Sequence, residues 1–320
     1  MTPLCFTPAL TQELQCSGTP IIVTGAGGWL GRAALEMLDS ALGESLADRV
    51  TVFASSPRVI TLGSGRTLAA RDFTELEDGT APPSLILHFA FRTRGHAQEQ
   101  NYVAANRQIA QHLRNFIQHN GARGIFIPSS GAVYGPDGTP ETDLARNPYG
   151  ALKYEDEVNF RRLAEQLGIP AAIIRIFNLA GPFINNLGGY ALACIIADAV
   201  RGGPITLRAD HPVFRSYAHI EDVLNIAMAI LLRGLDLGTF DTAGEPVLEI
   251  GELAERISLQ VADRALPILR PQWRSGPENR YLGDLAGYRH AAERAGVKIS
   301  GLDRQITATA HYLAAAGSSV

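Results

Sequence analysis

Pro20 to Gly31 reads PIIVTGAGGWLG, and this stretch limits the possible folds more than any other. Ile21-Ile22-Val23 is a short apolar run that reads as a buried strand. Glycines follow at once, and a helix is expected over Leu30–Leu42, with Leu30, Ala33, Ala34, Met37 and Leu38 on one side. The alternation then repeats. Val50–Phe53 and Ser84–Ala90 (SLILHFA) read as further strands, and residues 101–119 as a helix carrying Ile109, Leu113 and Phe116 or Ile117 at helical spacing. Ile125–Ile127 reads as a strand ending at Pro128, residues 148–167 as a helix closed by Gly168-Ile169-Pro170, and residues 171–178 (AAIIRIFN) as another strand. Strands alternating with helices through short connections specify an α/β fold: a doubly wound, Rossmann-like parallel sheet.

The glycine spacing bears on what such a sheet binds. The pattern G-x-G-x-x-G fails because Leu30 stands in the last glycine slot; Gly25-x-x-Gly28-x-x-Gly31, preceded by Thr24, is the spacing that fits. Glycines permit the tight turn and a close backbone approach, and the helix N-terminus at Trp29 and Leu30 then faces a pyrophosphate. An acidic residue normally ends the second strand when a dinucleotide carries a free ribose 2′-OH. Here the position is Ala54, followed by Ser55, Ser56, Pro57 and Arg58, a set that suits a 2′-phosphate and so NADP over NAD. A plain surface turn is the competing reading. Asp72, beside Phe73, is placed to accept a hydrogen bond from an adenine amine. A loop with Arg92 and Arg94 follows the SLILHFA strand, and the apolar-flanked His88 reads as a satisfied core histidine.

A second stretch carries the chemistry. Ser129 and Ser130 stand where the 125–127 strand ends, and Asn147-Pro148 opens the next helix as N-cap and first residue. Tyr149 and Lys153 follow at i and i+4, on one helix face. A free Tyr, with a pKa of about 10, is a poor base at neutral pH; lowering it toward 7 takes about 4 kcal/mol. A nearby ammonium in a partly desolvated site supplies attraction of that order. The Ser130 hydroxyl can hold a substrate oxygen next to the Tyr.

At 320 residues the chain exceeds what one growing core supports, and two lobes are expected. The sheet domain is assigned to residues 19–180 plus about 216–245. A smaller, partly inserted C-terminal substrate lobe takes 181–215 and 246–320, and residues 1–18 form an N-terminal extension. That lobe reads as helices at 190–201, 249–260, 284–295 and 303–315, with a Pro/Arg-rich linker at 267–280; another helix, 222–233, follows a strand and loop at 201–223. The net charge of −4 offers no case for nucleic acid. Eight His lack metal-ligand spacing, and Cys5, Cys16 and Cys194 form no C-x-x-C pair, so no metal and a reducing, cytoplasmic setting are expected. Residues 1–18 do not read as a signal peptide, and no apolar run reaches membrane-spanning length.

Taken in order, T-G-A-G-G-W-L-G, L-H-F-A, Asn106, S-S-G-A-V-Y-G, N-P-Y-G-A-L-K, R-I-F-N-L-A-G-P and F-R-S-Y-A-H-I-E-D-V resemble the extended short-chain dehydrogenase/reductases, the NAD(P)-dependent epimerase/dehydratase family. The resemblance implies Ser130 as catalytic hydroxyl, Tyr149 as acid/base and Lys153 as its activator. It also implies cofactor contacts at Phe73, Ala90, Asn106, Tyr149 and Lys153, and a nucleotide-sugar diphosphate at Asn178 and Arg215, with Arg280 as a further candidate. A homodimer is part of the same expectation. Three departures stand out: Ala209–Val213 replaces a glycine-rich loop, Phe91 replaces an Ala and would narrow the sugar site, and residues 1–18 have no counterpart. Gly131 and Ala132 stand where a dehydratase would carry its acidic pair. The expected activity is therefore ketoreduction of a nucleotide-activated sugar, with 4-epimerisation on retained NAD or reduction of a small non-nucleotide carbonyl as alternatives. A noncatalytic NAD(P)-sensing regulator would be free to lose Ser130, Tyr149 or Lys153, and all three are present.

Overall fold

The computed structural model describes residues 3–76, 80–93, 100–274 and 276–317; Arg94 of the expected loop lies outside them. The first part of the chain runs α1 (Pro8–Ser17), β1 (Ile21–Thr24), α2 (Trp29–Leu42), α3 (Leu46–Arg49), β2 (Val50–Ala54), β3 (Arg58–Thr61), β4 (Thr67–Asp72), β5 (Ser84–His88) and α4 (Tyr102–Asn120). Then come β6 (Ala122–Ser130), α5 (Pro148–Leu167), β7 (Ala171–Ile176), β8 (Leu179–Ala180), α6 (Ala191–Val200), β9 (Ile205–Thr206), β10 (Val213–Arg215), β11 (Ala218–His219) and α7 (Ile220–Arg233). The last part holds β12 (Thr239–Asp241), β13 (Leu248–Glu249), α8 (Ile250–Ala262), β14 (Ile268–Leu269), β15 (Asn279–Tyr281), α9 (Leu285–Ala295) and α10 (Leu302–Gly317).

The main sheet has eight strands in the order β12-β7-β6-β5-β1-β2-β4-β3. Its pairs are parallel except at the β3 edge, which runs antiparallel to β4. Every residue of β1 and β5 is buried, as continuous apolar strands covered on both faces must be. The strand order reverses between β1 and β5, so the crevice beyond their C-terminal ends is the place where such a sheet binds ligands. Thr24-Gly25 and His88–Phe91 stand at that point.

The segments 181–215 and 246–317 form α6, α8 and α10 with the small sheets β13-β10-β15 and β14-β9. They are not walled off from the main sheet. One apolar cluster runs through Leu10 of α1, Ala172 of β7, Ile195 of α6, Ala254 of α8 and Ile306 of α10.

Three local outcomes differ from the sequence reading. The strand expected at Ile125–Ile127 spans Ala122–Ser130 and passes through Pro128. Pairing with β5 stops at Phe126, so Pro128 is flanked by β7 alone, where a missing N–H is tolerated. The hairpin β3–β4 goes beyond the sequence reading, which marks only a short segment ending at Arg71-Asp72-Phe73, although short alternating runs flank Gly63-Ser64-Gly65; Arg58, expected on a turn, begins its edge strand. The 267–280 linker contains β14 and β15, each paired with a strand of the preceding segment.

Residues 3–18 are packed into the core rather than appended to it. Thr7 caps α1, Pro8 takes its first position, and Gly18 closes it in the left-handed region at φ 61°. The Cys5 N–H donates to Glu221 Oε1 at 2.9 Å and the Thr7 N–H to Asn225 Oδ1 at 2.8 Å, which ties the segment to α7. Leu10 and Leu14 are fully buried. Leu14→Ala is expected to destabilise the fold by about 2–5 kcal/mol, read as a lower denaturant midpoint; an unchanged midpoint would mean that α1 is dispensable.

Candidate active site

The glycine turn is built by close approach. Gly25 sits at φ 69°, and a Cβ there would lie 2.4–2.6 Å from the backbone of Phe89 and Ala90. A Cβ on Gly31 would lie 2.4 Å from the Gly25 carbonyl oxygen, so Gly31 does the packing and Leu30 can fill the neighbouring slot. Gly28 is the N-cap of α2, and its N–H donates to Gly25 O at 3.0 Å. The Ala90 N–H donates to Thr24 Oγ1 at 3.3 Å, and Thr24 Oγ1 lies 2.7 Å from His88 Nδ1. His88 is thus a partnered core residue.

Beside this turn lies a cavity of about 520 Å³ lined by Gly27, Arg32, Arg58, Phe183, Asn185 and Tyr312, among others. Arg58 Nη2 donates to Ser55 Oγ at 3.0 Å and to Ser56 Oγ at 3.4 Å, which gathers the three residues singled out at the end of β2. A Cβ on Gly27 would meet only the Arg58 guanidinium, at 3.5 Å, so the glycine faces open space with a cation beside it. Arg32 was not anticipated, although it directly follows the last glycine of the fingerprint; it pairs with Glu36 at 2.7 Å. Glycine backbone, a helix N-terminus and two guanidiniums form a donor set that fits a phosphorylated dinucleotide.

Other expected cofactor residues have local tasks. The Trp29 indole donates to Pro182 O at 2.6 Å, and Asn185 Nδ2 donates to Gly27 O at 3.2 Å, so residues 182–185 are fastened across the glycine turn. Asn106 is buried; its Oδ1 accepts the Arg92 N–H at 2.8 Å and its Nδ2 donates to Arg92 O at 3.3 Å. It holds the loop after β5. Asp72 Oδ1 accepts both the N–H and the hydroxyl of Thr74, bonds that hold its pKa below the ordinary value. Phe73 packs its ring 6.2 Å from His88.

Ser130 ends β6 and its Oγ accepts the Ala132 N–H at 3.1 Å. Asn147 caps α5 by accepting the Gly150 N–H at 3.0 Å, with Pro148 next. Lys153 is buried and its ammonium donates to Pro128 O at 2.9 Å. Burial pulls its pKa down to about 8, against the opposing fields of Asp156 and Glu157. Burial pushes Asp156 up to about 7, with Lys153 pulling the other way. Arg175 of β7 grips Glu157 at 2.9 and 2.7 Å and donates to the Tyr134 hydroxyl at 2.7 Å, which donates to Asp241 at 2.9 Å. The Ser129 hydroxyl donates to Glu157 as well. Behind the Tyr149–Lys153 face, Glu157, Arg175 and Tyr134 are therefore paired, as buried polar groups require.

Among the residues expected to hold substrate, Asn178 Nδ2 donates to Ser216 O at 3.1 Å and to Tyr281 O at 3.0 Å. Arg215 Nη1 donates to Phe214 O, to Asn279 O and to Asn279 Oδ1 at 2.8–3.1 Å. Arg280 is in register with Phe214 and stacks over its ring at 4.3 Å, whereas Arg215 is in register with Tyr281. Successive residues of a strand face opposite ways, so Arg280 and Arg215 project to opposite faces of this small sheet. The two are not brought together. His219, Glu221 and Asp222 gather ligand atoms within 4.8 Å of one another, a cluster that metal-ligand spacing had not suggested. Glu221 accepts from Cys5 and Arg304, and Asp222 from Ser300 at 2.7 and 2.9 Å, so the carboxylates already have structural partners.

The sequence profile of the NAD dependent epimerase/dehydratase family matches residues 21–240, and the chain belongs to that family, an enzyme of the extended short-chain dehydrogenase/reductase type. It is similar to UDP-glucuronic acid decarboxylase 5 of Arabidopsis thaliana, 32% identical over 43% of this chain; the match spans only 42% of that relative's length. It is 25% identical to dTDP-4-dehydro-6-deoxy-D-allose reductase of Streptomyces sp, over 74% of this chain and 80% of the relative. Among solved structures, RMD from Pseudomonas aeruginosa complexed with NADPH shares the fold at a TM-score of 0.70, with 19% identity over 93% of this chain and 99% of the other.

Burial first, and the Lys153 charge second, push the His88 pKa down from 6.5 to about 3. The folded chain then holds His88 neutral where the unfolded chain takes up a proton, so the stability it contributes is complete above about pH 6.5 and is lost as pH falls from there toward 3. Asp156, with a raised pKa, acts in the opposite sense, and a difference between variants isolates the histidine. The wild-type denaturant midpoint should exceed that of His88→Gln by a margin that shrinks between pH 6.5 and 4. A pH-independent margin would place the histidine's titration outside the folding equilibrium.

Proposed function

We propose that this chain is an NADPH-dependent ketoreductase of a nucleotide-activated sugar. The observation that carries this reading is the cavity at the glycine turn, where Arg58, Ser55 and Ser56 cluster beside Arg32 and no carboxylate ends β2. An acidic residue there would repel a 2′-phosphate, whereas guanidinium and hydroxyls donate to it. The bound nicotinamide supplies the hydride. The chain's own residues do the rest: Ser130 holds the carbonyl oxygen, Tyr149 delivers the proton to it, and Lys153 sets the Tyr149 acidity. Composition supports the last role, since only Lys153 and Lys298 among 28 basic residues are lysines. A chain that otherwise uses arginine keeps, at this one buried position, the compact cation whose pKa can move.

Arg215 and Asn178 are the groups assigned to the substrate diphosphate. The three Arg215 bonds above fall on Nη1, so its fork can still engage an anion through Nε and Nη2. Arg280 faces the other way and is left out. Three free cysteines suit a reducing cytoplasm, no described helix is long and apolar enough to cross a membrane, and a homodimer is the assembly that accompanies this reading.

One observation favours epimerisation on retained NAD as a second reading. The Trp29–Pro182 and Asn185–Gly27 bonds fasten the chain across the cofactor turn, which would slow cofactor exchange. The cofactor released on denaturing the purified protein separates the two: stoichiometric NAD supports the epimerase, an empty site with micromolar NADPH binding the reductase.

Arg58→Ala should weaken NADPH about ten- to a hundredfold and NADH little, since a charge-assisted contact is worth about 1.5–3 kcal/mol. Tighter NADH than NADPH binding in the wild type would remove the reductase preference. Tyr149→Phe should abolish turnover with cofactor affinity within a few-fold; full activity would take Tyr149 out of the mechanism. Thermal-shift screening against UDP-, dTDP-, GDP- and CDP-sugars, with and without cofactor, tests the substrate class, and no shift with any of them would sink it.

A further inference from the structure

Phe91 is the departure from the family pattern that the fold puts to use. It follows the end of β5 at the mouth of the crevice, and its backbone is fixed on both sides. Ala90 is bonded to Thr24, and Arg92 is bonded twice to Asn106. The ring is held as firmly. Its centroid lies 3.8 Å from Lys153 Nζ, and it meets the Tyr149 ring edge-to-face at 5.7 Å and 90°. One side chain therefore touches both members of the proton-transfer pair.

The surroundings of Lys153 make that contact consequential. From β5 it faces His88, which is neutral at physiological pH. From β6 it meets the Pro128 carbonyl, and from its own helix the fields of Asp156 and Glu157. Glu157 is already bound by Arg175 of β7 and by Ser129, and Asp156 is itself held toward its neutral form. Among the described residues, the carboxylates whose fields reach this desolvated ammonium are Asp156 and Glu157, and neither is a full, free anion. An aromatic face supplies negative potential without adding a charge.

We propose that Phe91 is a positioning residue, whose ring face holds the Lys153 ammonium in place beside Tyr149. An aliphatic side chain of similar size would fill the same space but lack the negative face; an alanine would admit water. The inference rests on the proton-transfer role given above to Tyr149 and Lys153, but its first test needs no substrate.

With only two lysines in the chain, competitive labelling by acetic anhydride across a pH series reads Lys153 directly, with the exposed Lys298 as internal reference. The Lys153 titration midpoint should fall by about one unit in Phe91→Leu and in Phe91→Met, and stay at the wild-type value in Phe91→Tyr, with Lys298 unchanged throughout. Leu and Met variants that titrate with the wild type, while keeping its thermal transition, overturn the proposal. In turnover, kcat at pH 7–8 should drop about tenfold in Phe91→Leu with KM nearly constant and recover in Phe91→Tyr. A raised KM with wild-type kcat would make Phe91 a wall for substrate and overturn the positioning role. Activity surviving Tyr149→Phe would instead remove the function assigned to the site and leave the labelling result standing.

Discussion

The site depends first on how α5 is seated against the end of β6. A Cβ on Gly150 would lie 2.1 Å from the Ala132 carbonyl oxygen, a distance no real side chain tolerates. Asn147 fixes the same junction from both sides, accepting from Gly150 N and donating to Ala132 O at 2.8 Å. The Lys153 ammonium adds a third tie at Pro128 O, one turn further along. With glycine at 150 the helix comes within reach of the strand end, and the Lys153 ammonium can then reach the Pro128 carbonyl of β6. The cap, the glycine and the lysine are a single device, and the NPYGALK run encodes all of it.

Burial of charge is the cost of that seating. Lys153, Asp156 and Glu157 lie on the inner face of α5, each less than a tenth exposed. Removing one partner from such a cluster leaves an uncompensated charge in a low-dielectric interior, which typically costs about 3–5 kcal/mol. The chain answers with Arg175, whose fork spans both Glu157 oxygens and whose other arm reaches Tyr134 and, through it, Asp241 of β12. The tyrosine of the S-S-G-A-V-Y-G motif thereby links β7 to the neighbouring edge strand β12. The same motif's Gly131 is sterically required, since a Cβ there would lie 2.6 Å from the Phe177 ring.

What the sequence disclosed follows from where the signal is local. Continuous apolar runs, the N-cap at Asn147 and the glycine-to-helix step are written within a few residues, and the parallel α/β sheet, α2 and α5 were legible from them. The β3–β4 hairpin was not, because an edge strand half-exposed to water carries few apolar residues. Nor was α1, whose value lies in contacts more than two hundred residues away, such as Thr7 with Asn225. Arg280 shows a third limit. The family resemblance offered it as a further diphosphate contact beside Arg215, yet register alone decides which face a strand residue takes, and pairing with β10 sets it on the face opposite Arg215.

The joined core bears on how such an enzyme could open. Independent lobes move about a hinge, but here α6 and α10 share one apolar cluster with β7 and α7, and α1 is packed against α7 and α2. Sliding that interface as a whole would break close packing over many side chains at once. Motion is therefore cheaper in the segment carrying Pro182–Asn185, which meets the glycine turn through two hydrogen bonds and the Trp29–Tyr190 ring contact at 5.3 Å. Phe183 in that segment already holds a left-handed backbone at φ 69°, unusual for a bulky residue, so its conformation is maintained by those contacts rather than by its own preference. That short crossing borders the cavity at the glycine turn, whereas Lys153 is tied to the sheet through Pro128 O.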